Sequence, residues 1–401
     1  MLNWAEECQK FTPELSCVVV DGDAAHRAEL AESWPAADLV VTSYDLLRRD
    51  EALYEGQEFY ACILDEAQAI KNHTTQKYKA VCKVRSRVRF ALTGTPVENR
   101  LGELWSIFSF LMPGYLPPYK SFCSRFEKPI VQEEDQTAVR RLNQLTGPFI
   151  LRRMKSDVLK ELPPKTENVY RIELEEEQRK LYLAAVVDAR EKLQAAKPED
   201  KMAVFAVLMR LREICCDPRL IADNWEGGSA KLDACVELVS SAVEGGHRIL
   251  LFSQFTSMLE LLAKRLDAEG ISHFTLQGST PKPVRAELVR RFNGGEVSVF
   301  LISLRAGGTG LNLTAADIVI HYDPWWNVAA QNQATDRAYR IGQQNPVQVY
   351  KLIAQDTIEE KIVELQQAKQ SLADTVTGTA DGAILSMRPD ELLQLLEGSE
   401  P

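Results

Sequence analysis

Two stretches of the 401-residue chain alternate short apolar runs with helical segments, and that rhythm constrains the fold more than any other feature. In residues 1–112, strands are expected at Cys17–Val20, Leu39–Thr42, Tyr60–Leu64 and Val88–Leu92. Helices are expected between and after them, at Ala24–Ser33, Ser43–Asp50, Thr74–Val84 and Glu98–Leu111. The opening Leu2-Asn-Trp-Ala-Glu-Glu reads as the middle of a helix. From Lys231 the rhythm returns, with strands expected at Arg248–Ser253, His273–Leu276, Val297–Ser303, Ile318–Tyr322 and Val347–Ile353. Helices are expected there at Leu232–Val243, Met258–Glu269, Pro281–Phe292 and Asp356–Lys369. Strands alternating with helices build parallel sheets with helical cover, so the fold class is α/β. Residues 113–230 lose the strand rhythm: Pro113, Pro117 and Pro118 break the chain, and helices are expected at Glu175–Leu193 and Lys201–Cys215. Leu162-Pro-Pro-Lys165 reads as a stiff link, because proline fixes its own φ and biases the residue before it. The expected divisions are 1–112, 113–230, 231–375 and a tail, 376–401, whose Gly/Thr/Ala linker precedes a short helix, Pro389–Leu396.

Ligand sites in open α/β sheets lie at the carboxyl ends of strands. Asp65-Glu66 follows the strand Tyr60–Leu64. Adjacent carboxylates there can divide metal holding from proton transfer. Acidic residues at a helix start, answering its dipole, have the same pattern. Gln331–Ile341 has helical character, with Gly342 as a stop. Arg337 and Arg340, three apart, share one helix face. Two guanidiniums form a permanently charged fork suited to phosphate oxygens, and equally able to pair with a carboxylate such as Asp336. Upstream, a glycine loop, Arg305-Ala-Gly-Gly-Thr-Gly-Leu-Asn312, follows one strand, and Asp323-Pro-Trp-Trp-Asn327 ends another.

Taken together, these strings resemble the Snf2-type ATPases, the double-stranded-DNA translocase branch of superfamily 2 helicases. Asp65–Asn72 is similar to the family's motif II, Leu92–Asn99 to motif III, Ile249–Phe255 to motif IV and Val299–Gln343 to motifs V and VI. Phe149–Lys165 matches the inter-lobe connector. The resemblance implies two RecA-like lobes with a helical insertion between them, and ATP and Mg²⁺ as cofactors. Asp65 would hold the Mg²⁺ through water, and Glu66 would orient or deprotonate the attacking water. Gln68, Thr93, Gly94 and Thr95 in the first lobe, and Gly308, Gly310 and Gln333 in the second, would line the nucleotide. Arg337 and Arg340 match arginine fingers directed at the γ-phosphate. Ser253, Gln254, Gly278, Ser279, Arg305, Thr309 and Trp325 match positions facing DNA, beside the cations Lys282, Arg285, Arg290 and Arg291.

One part of the family pattern is missing. A nucleotide-binding lobe needs a glycine-rich loop ending Gly-Lys-[Ser/Thr] to cradle phosphates. No Gly-Lys pair occurs anywhere in the 401 residues. In the family that loop lies upstream of the segment matched by Leu2–Pro13. The expectation is therefore a truncated chain or half of a split protein, with a separate chain as one source of the missing segment. Such a first lobe would expose apolar strand edges, bind ATP poorly and hydrolyse it slowly or not at all.

Composition sets outer bounds. Net charge is −10, so attraction to nucleic acid must come from a local basic groove. No apolar run reaches the roughly 18 residues needed to span a bilayer, and no signal peptide opens the chain. Eight cysteines without a Cys-x-x-Cys pair read as reduced thiols in a cytosolic protein. The expected activity is ATP hydrolysis coupled to movement on double-stranded DNA and remodelling of protein–DNA complexes, in the cytoplasm or at the nucleoid. RNA polymerase or another DNA-bound protein is the expected protein partner, and no membrane is involved. The alternative is a non-catalytic DNA- or RNA-polymerase-binding module.

Overall fold

A computed structural model describes residues 2–94, 101–133, 135–151, 153, 159, 161–197, 200–222, 224–307, 311–373, 389, 392, 393 and 396. The chain divides into two compact units, with the main boundary between residues 151 and 152.

The first unit has two small parallel sheets. Strand β1 (Cys17–Val19) pairs with β2 (Leu39–Val41), and β3 (Glu58–Leu64) pairs with β4 (Arg85–Ala91). Helices α1 (Leu2–Phe11), α2 (Ala24–Glu32), α3 (Tyr44–Arg49), α4 (Gln76–Lys83) and α5 (Leu101–Leu111) accompany them. Side-chain caps set three of the starts: Asp23 accepts from the His26 amide, Ser43 from Leu46 and Thr75 from Tyr78. Each cap satisfies an amide that the first helical turn leaves without a partner. Trp34, Tyr54, Ile70 and Phe110 fill the core between the sheets and helices. The β3–β4 sheet still shows apolar side chains to solvent: Ile63 and Phe90, which face each other in register, are 55% and 52% exposed.

The second unit is built on a six-stranded parallel sheet in the order β5-β10-β9-β6-β8-β7. These strands are β5 (Lys165–Ile172), β6 (Ile249–Ser253), β7 (His273–Leu276), β8 (Val299–Ser303), β9 (Ile318–His321) and β10 (Val347–Ala354). Every residue of β6, β8 and β9 is buried, as near-continuous apolar runs require in a parallel sheet covered on both faces. The accompanying helices, counted on from α6 (Gln136–Thr146) of the first unit, are α7 (Glu176–Ala195), α8 (Lys201–Cys216), α9 (Ala230–Glu244), α10 (Thr256–Ala268), α11 (Lys282–Asn293), α12 (Val328–Thr335) and α13 (Ile358–Ala373). Among the described residues no helix is long and apolar enough to cross a membrane.

Two expectations need correction. The stretch expected to lack strands contains β5, which pairs with β10 over its whole length, from Lys165 opposite Val347 to Ile172 opposite Ala354. As an exposed edge strand it carries Lys165, Glu167 and Arg171 on one face and Thr166, Asn168 and Tyr170 on the other, so no apolar alternation marks it. The helical character expected to Ile341 ends at Thr335, with Asp336 as its cap. Residues Asp336–Arg340 form turns instead, so Arg337 and Arg340 do not share a helix face. The expected linker in the tail lies outside the described residues; of the expected terminal helix, Leu392 and Leu396 are buried against α7 and α8.

A buried ion pair joins two helices of the second unit. Lys231 Nζ, at the start of α9, lies 2.5 Å from Glu359 Oε2, at the start of α13, and both side chains are fully enclosed. The same carboxylate oxygen accepts the Ala354 amide at 2.9 Å. Removing one partner of such a pair leaves an uncompensated buried charge. Lys231→Met is therefore expected to cost about 3–5 kcal/mol in urea unfolding. Lys231→Met combined with Glu359→Gln keeps an acceptor for Ala354 and is expected to recover at least half of that loss.

Candidate functional site

In the first unit, Asp65 and Glu66 emerge at the carboxyl end of β3, as expected. Glu66 has φ 50° and ψ 53°, a left-handed conformation rare outside glycine. The Asp65 carboxylate is oriented on both oxygens: Oδ1 accepts the Glu66 amide at 3.0 Å and Oδ2 the Trp4 indole N–H at 2.9 Å. Tyr44 donates its hydroxyl to the Asp65 carbonyl at 2.7 Å, and burial together with the Asp65 charge pushes its phenol well up, so it stays protonated. Gln68 donates to Glu66 Oε2 at 2.6 Å and accepts from Thr93 Oγ1 at 2.8 Å. The backbone repeats the link, with Ala67 N to Leu92 O at 2.9 Å. Gln68 and Thr93 thus act as a brace between two strand ends. Gly94 is exposed with open space where a Cβ would stand, and Thr95 lies outside the described residues.

Mg²⁺ keeps most of its waters and takes one or two carboxylates plus phosphate oxygens, so an exposed Asp65 suits it. No cluster of three or more metal-ligating side chains occurs among the described residues. The eight cysteines are all free thiols.

In the second unit, the arginine turn is fastened from several sides. Leu313 N donates to the Arg337 carbonyl at 3.0 Å, and Arg340 Nη1 to the Leu311 carbonyl at 3.4 Å. Gln343, 7% exposed, donates from Nε2 to the carbonyls of Ala316 (2.7 Å), Thr314 and Ala338 (3.2 Å each). Its Oε1 accepts the Gln344 and Asn345 amides, both at 2.9 Å. Arg337 is buried, and Arg340 and Gln333 are half-buried. The structure therefore joins the arginines to the end of the glycine loop, while Gly308, Thr309, Gly310 and the Arg305 side chain lie outside the described residues. At the base of α12, His321 Nε2 meets Thr335 Oγ1 at 2.8 Å.

The residues matched to DNA contacts divide into two groups. Gly278 and Ser279 are exposed in the turn after β7. Ser253 is turned inward, with Oγ donating to Asp323 Oδ1 at 2.6 Å, so its hydroxyl anchors the loop and is closed to solvent. The Gln254 amide lies 3.2 and 3.3 Å from the two Asp323 oxygens. Trp325 is half-buried against Trp326, their rings 5.6 Å apart. On α11, Arg290 pairs with Glu287 and Arg291 with Glu296, which reduces the local positive charge. Sequence reasoning gave no role to Asp323, Trp4, Tyr44 or Gln343. Only Asp323 carried a local signal, an acidic residue one position beyond the strand run expected at Ile318–Tyr322.

The model of the SNF2-related domain matches residues 1–220, and that of the helicase conserved C-terminal domain matches residues 230–342. The chain belongs to the SNF2 family of superfamily 2 helicase-like ATPases. An uncharacterized ATP-dependent helicase of Mycoplasma pneumoniae is 39% identical over 402 residues, covering 99% of this chain and 38% of that protein. The putative ATP-dependent helicase/translocase YwqA of Bacillus subtilis is 39% identical over 403 residues, covering 98% of this chain and 44% of its own. The SNF2-related chain thus spans less than half the length of these relatives. Among solved structures, the Sulfolobus solfataricus SWI2/SNF2 ATPase core in complex with dsDNA aligns with a TM-score of 0.51 at 34% identity, over 98% of this chain and 83% of that one. The expected α/β class with RecA-like lobes agrees with that match.

One consequence of the site's packing is pH-dependent stability. Burial pushes the His321 imidazole down to about 3. The folded chain keeps it neutral while the unfolded chain takes up a proton near its usual value of about 6.5. The unfolded state then binds more protons between these values, so this group's contribution to stability is lost as pH falls from about 6.5 through about 3. Urea unfolding across that range is expected to show the slope, and His321→Phe to flatten it.

Proposed function

We propose that these residues form the motor of an ATP-driven translocase that moves along double-stranded DNA and remodels DNA-bound protein complexes. The observation that carries this reading is the brace Thr93–Gln68–Glu66, which holds a carboxylate in a left-handed loop at a strand end. A carboxylate fixed in that way suits a residue that orients or deprotonates an attacking water. Asp65, held by Trp4 and the Glu66 amide, is the Mg²⁺ holder. When bound, Mg²⁺ neutralises charge on the β- and γ-phosphates. Arg337 and Arg340 stabilise charge on the transferring phosphoryl group. Gln333, Thr95, Gly94, Gly308 and Gly310 line the nucleotide. Gln254, Gly278, Ser279, Arg305, Thr309 and Trp325 face the duplex, with Ser253 as the anchor beneath. The Sulfolobus core's complex with dsDNA and the helicase/translocase name of the Bacillus relative support the DNA assignment. RNA polymerase or another DNA-bound protein is the object displaced.

The lack of any Gly-Lys pair favours a second reading for these 401 residues on their own, a DNA- or polymerase-binding module without turnover. One set of assays separates the two. The purified chain is expected to bind duplex DNA and to hydrolyse ATP slowly or not at all. Supplying a Gly-x-x-x-x-Gly-Lys-Thr segment, joined or mixed, is expected to bring DNA-stimulated hydrolysis. Arg337→Ala should then lower the stimulated rate by about 10³–10⁵, the range for a trans-acting arginine finger. DNA affinity indifferent to nucleotide, with no stimulated hydrolysis once the segment is supplied, would leave the binding module standing.

A further inference from the structure

Arg212 sits on α8 and is completely enclosed. Its Nη2 donates to Asp323 Oδ2 at 3.1 Å and to the Pro324 carbonyl at 2.5 Å. Nε and Nη1 have no hydrogen-bond partner among the described residues. Aromatic rings surround the group instead: its guanidinium carbon lies 4.3 Å from the Trp326 ring centre, 5.4 Å from Phe255 and 5.8 Å from Trp325. Through Asp323 the same contact reaches Ser253 Oγ and the Gln254 amide. Gln254 also lies against α8, with Nε2 3.8 Å from Met209 Sδ.

Burying a guanidinium costs several kcal/mol of desolvation, and an apolar side chain would fill the same space without that cost. What arginine adds is a rigid plane that stacks on one ring and donates in a fixed direction, which lysine cannot reproduce. The loops it fixes are those following β6 and β9, which carry Gln254 and Trp325. We propose that Arg212 is the positioning residue for the DNA-facing loops of the second unit, setting the Asp323–Trp326 turn directly and the Gln254 amide through Asp323. This rests on the duplex-DNA reading above. It gives α8, outside every matched motif, a direct part in shaping the nucleic-acid surface.

The test uses the whole 401-residue chain. Arg212→Met alone would strand the Asp323 charge, so it is combined with Asp323→Asn, which keeps an acceptor for Ser253 and Gln254. The double variant is expected to melt within about 4 °C of wild type. Its affinity for a fluorescein-labelled duplex, read by anisotropy, is expected to fall about 10-fold, equivalent to 1.4 kcal/mol. Arg212→Lys, which keeps the charge and loses the plane, should weaken binding in the same direction. Hydrogen exchange over residues 253–256 and 323–328 should accelerate in both variants, while exchange in β8 stays unchanged. Variants that bind DNA like a DNA-binding wild type, with unchanged exchange in those loops, overturn the role of Arg212 alone. A wild-type chain that binds no duplex overturns the DNA reading and this proposal with it.

Discussion

A parallel strand must return to its starting end before the next one can begin, and that constraint gathers the polar loops of each unit at one end of its sheets. In the first unit, Asp65 follows β3 and Thr93 follows β4, so a single glutamine can bridge them. In the second, Gln254 follows β6, Gly278 follows β7, Arg305 follows β8 and Asp323 follows β9. β6 and β9 are neighbours, which is why Asp323 can reach Ser253 although 70 residues separate them. The site residues are scattered in sequence and brought together by strand order. The arginine turn departs from this rule. It begins beside His321, at the carboxyl end of β9, and reaches Thr314 and Ala316, which precede that strand.

Within the second unit, buried polar groups govern where helices sit on the sheet. Lys231 and Glu359 link α9 to α13, Arg212 links α8 to the loop after β9, and His321 holds the last residue of α12. Apolar packing is tolerant of small shifts, whereas a buried polar group, charged or neutral, accepts only the geometry that pairs it. Each of these groups therefore fixes a relative position that leucines and valines alone would leave less defined. Gln343 does the same work without charge. Its amide engages only backbone atoms, so its placement follows from the local chain path and not from the identity of its neighbours.

The strand–helix rhythm was legible because parallel strands buried on both faces read as near-continuous apolar runs, and β6, β8 and β9 are apolar up to their last residues, Ser253, Ser303 and His321. The position of Asp65-Glu66 was legible because the short apolar run Tyr60–Leu64 marks the end of β3, although Tyr60 and Ile63 in that run are exposed. β5 was not: at the sheet edge its Glu167 and Arg171 are tolerated, and its partner β10 lies more than 180 residues downstream. The end of α12 was not legible either. Nothing within Gln331–Ile341 announces that Leu313 and Gln343 will take the carbonyls of Arg337 and Ala338. Ser253 turned inward because Asp323 is its neighbour in space, a fact that strand order supplies and the local string Phe-Ser-Gln does not. The same holds for Trp4, whose indole finds Asp65 across 61 residues.

Glu66 shows how such ties bear on chemistry. A non-glycine residue held left-handed costs about 1–3 kcal/mol and persists only where its surroundings leave no alternative. Those surroundings are the Asp65 oxygen on the Glu66 amide, the Ala67–Leu92 backbone bond and the Gln68 brace from Thr93. Two of the three restraints depend on the segment at the end of β4. A shift of that segment by even an ångström would therefore break or lengthen the bonds that hold Glu66 in place. The left-handed turn would then relax and swing its carboxylate away. The aim of the acidic residue is thus coupled, through one amide side chain and one backbone bond, to the position of the Thr93–Gly94 loop.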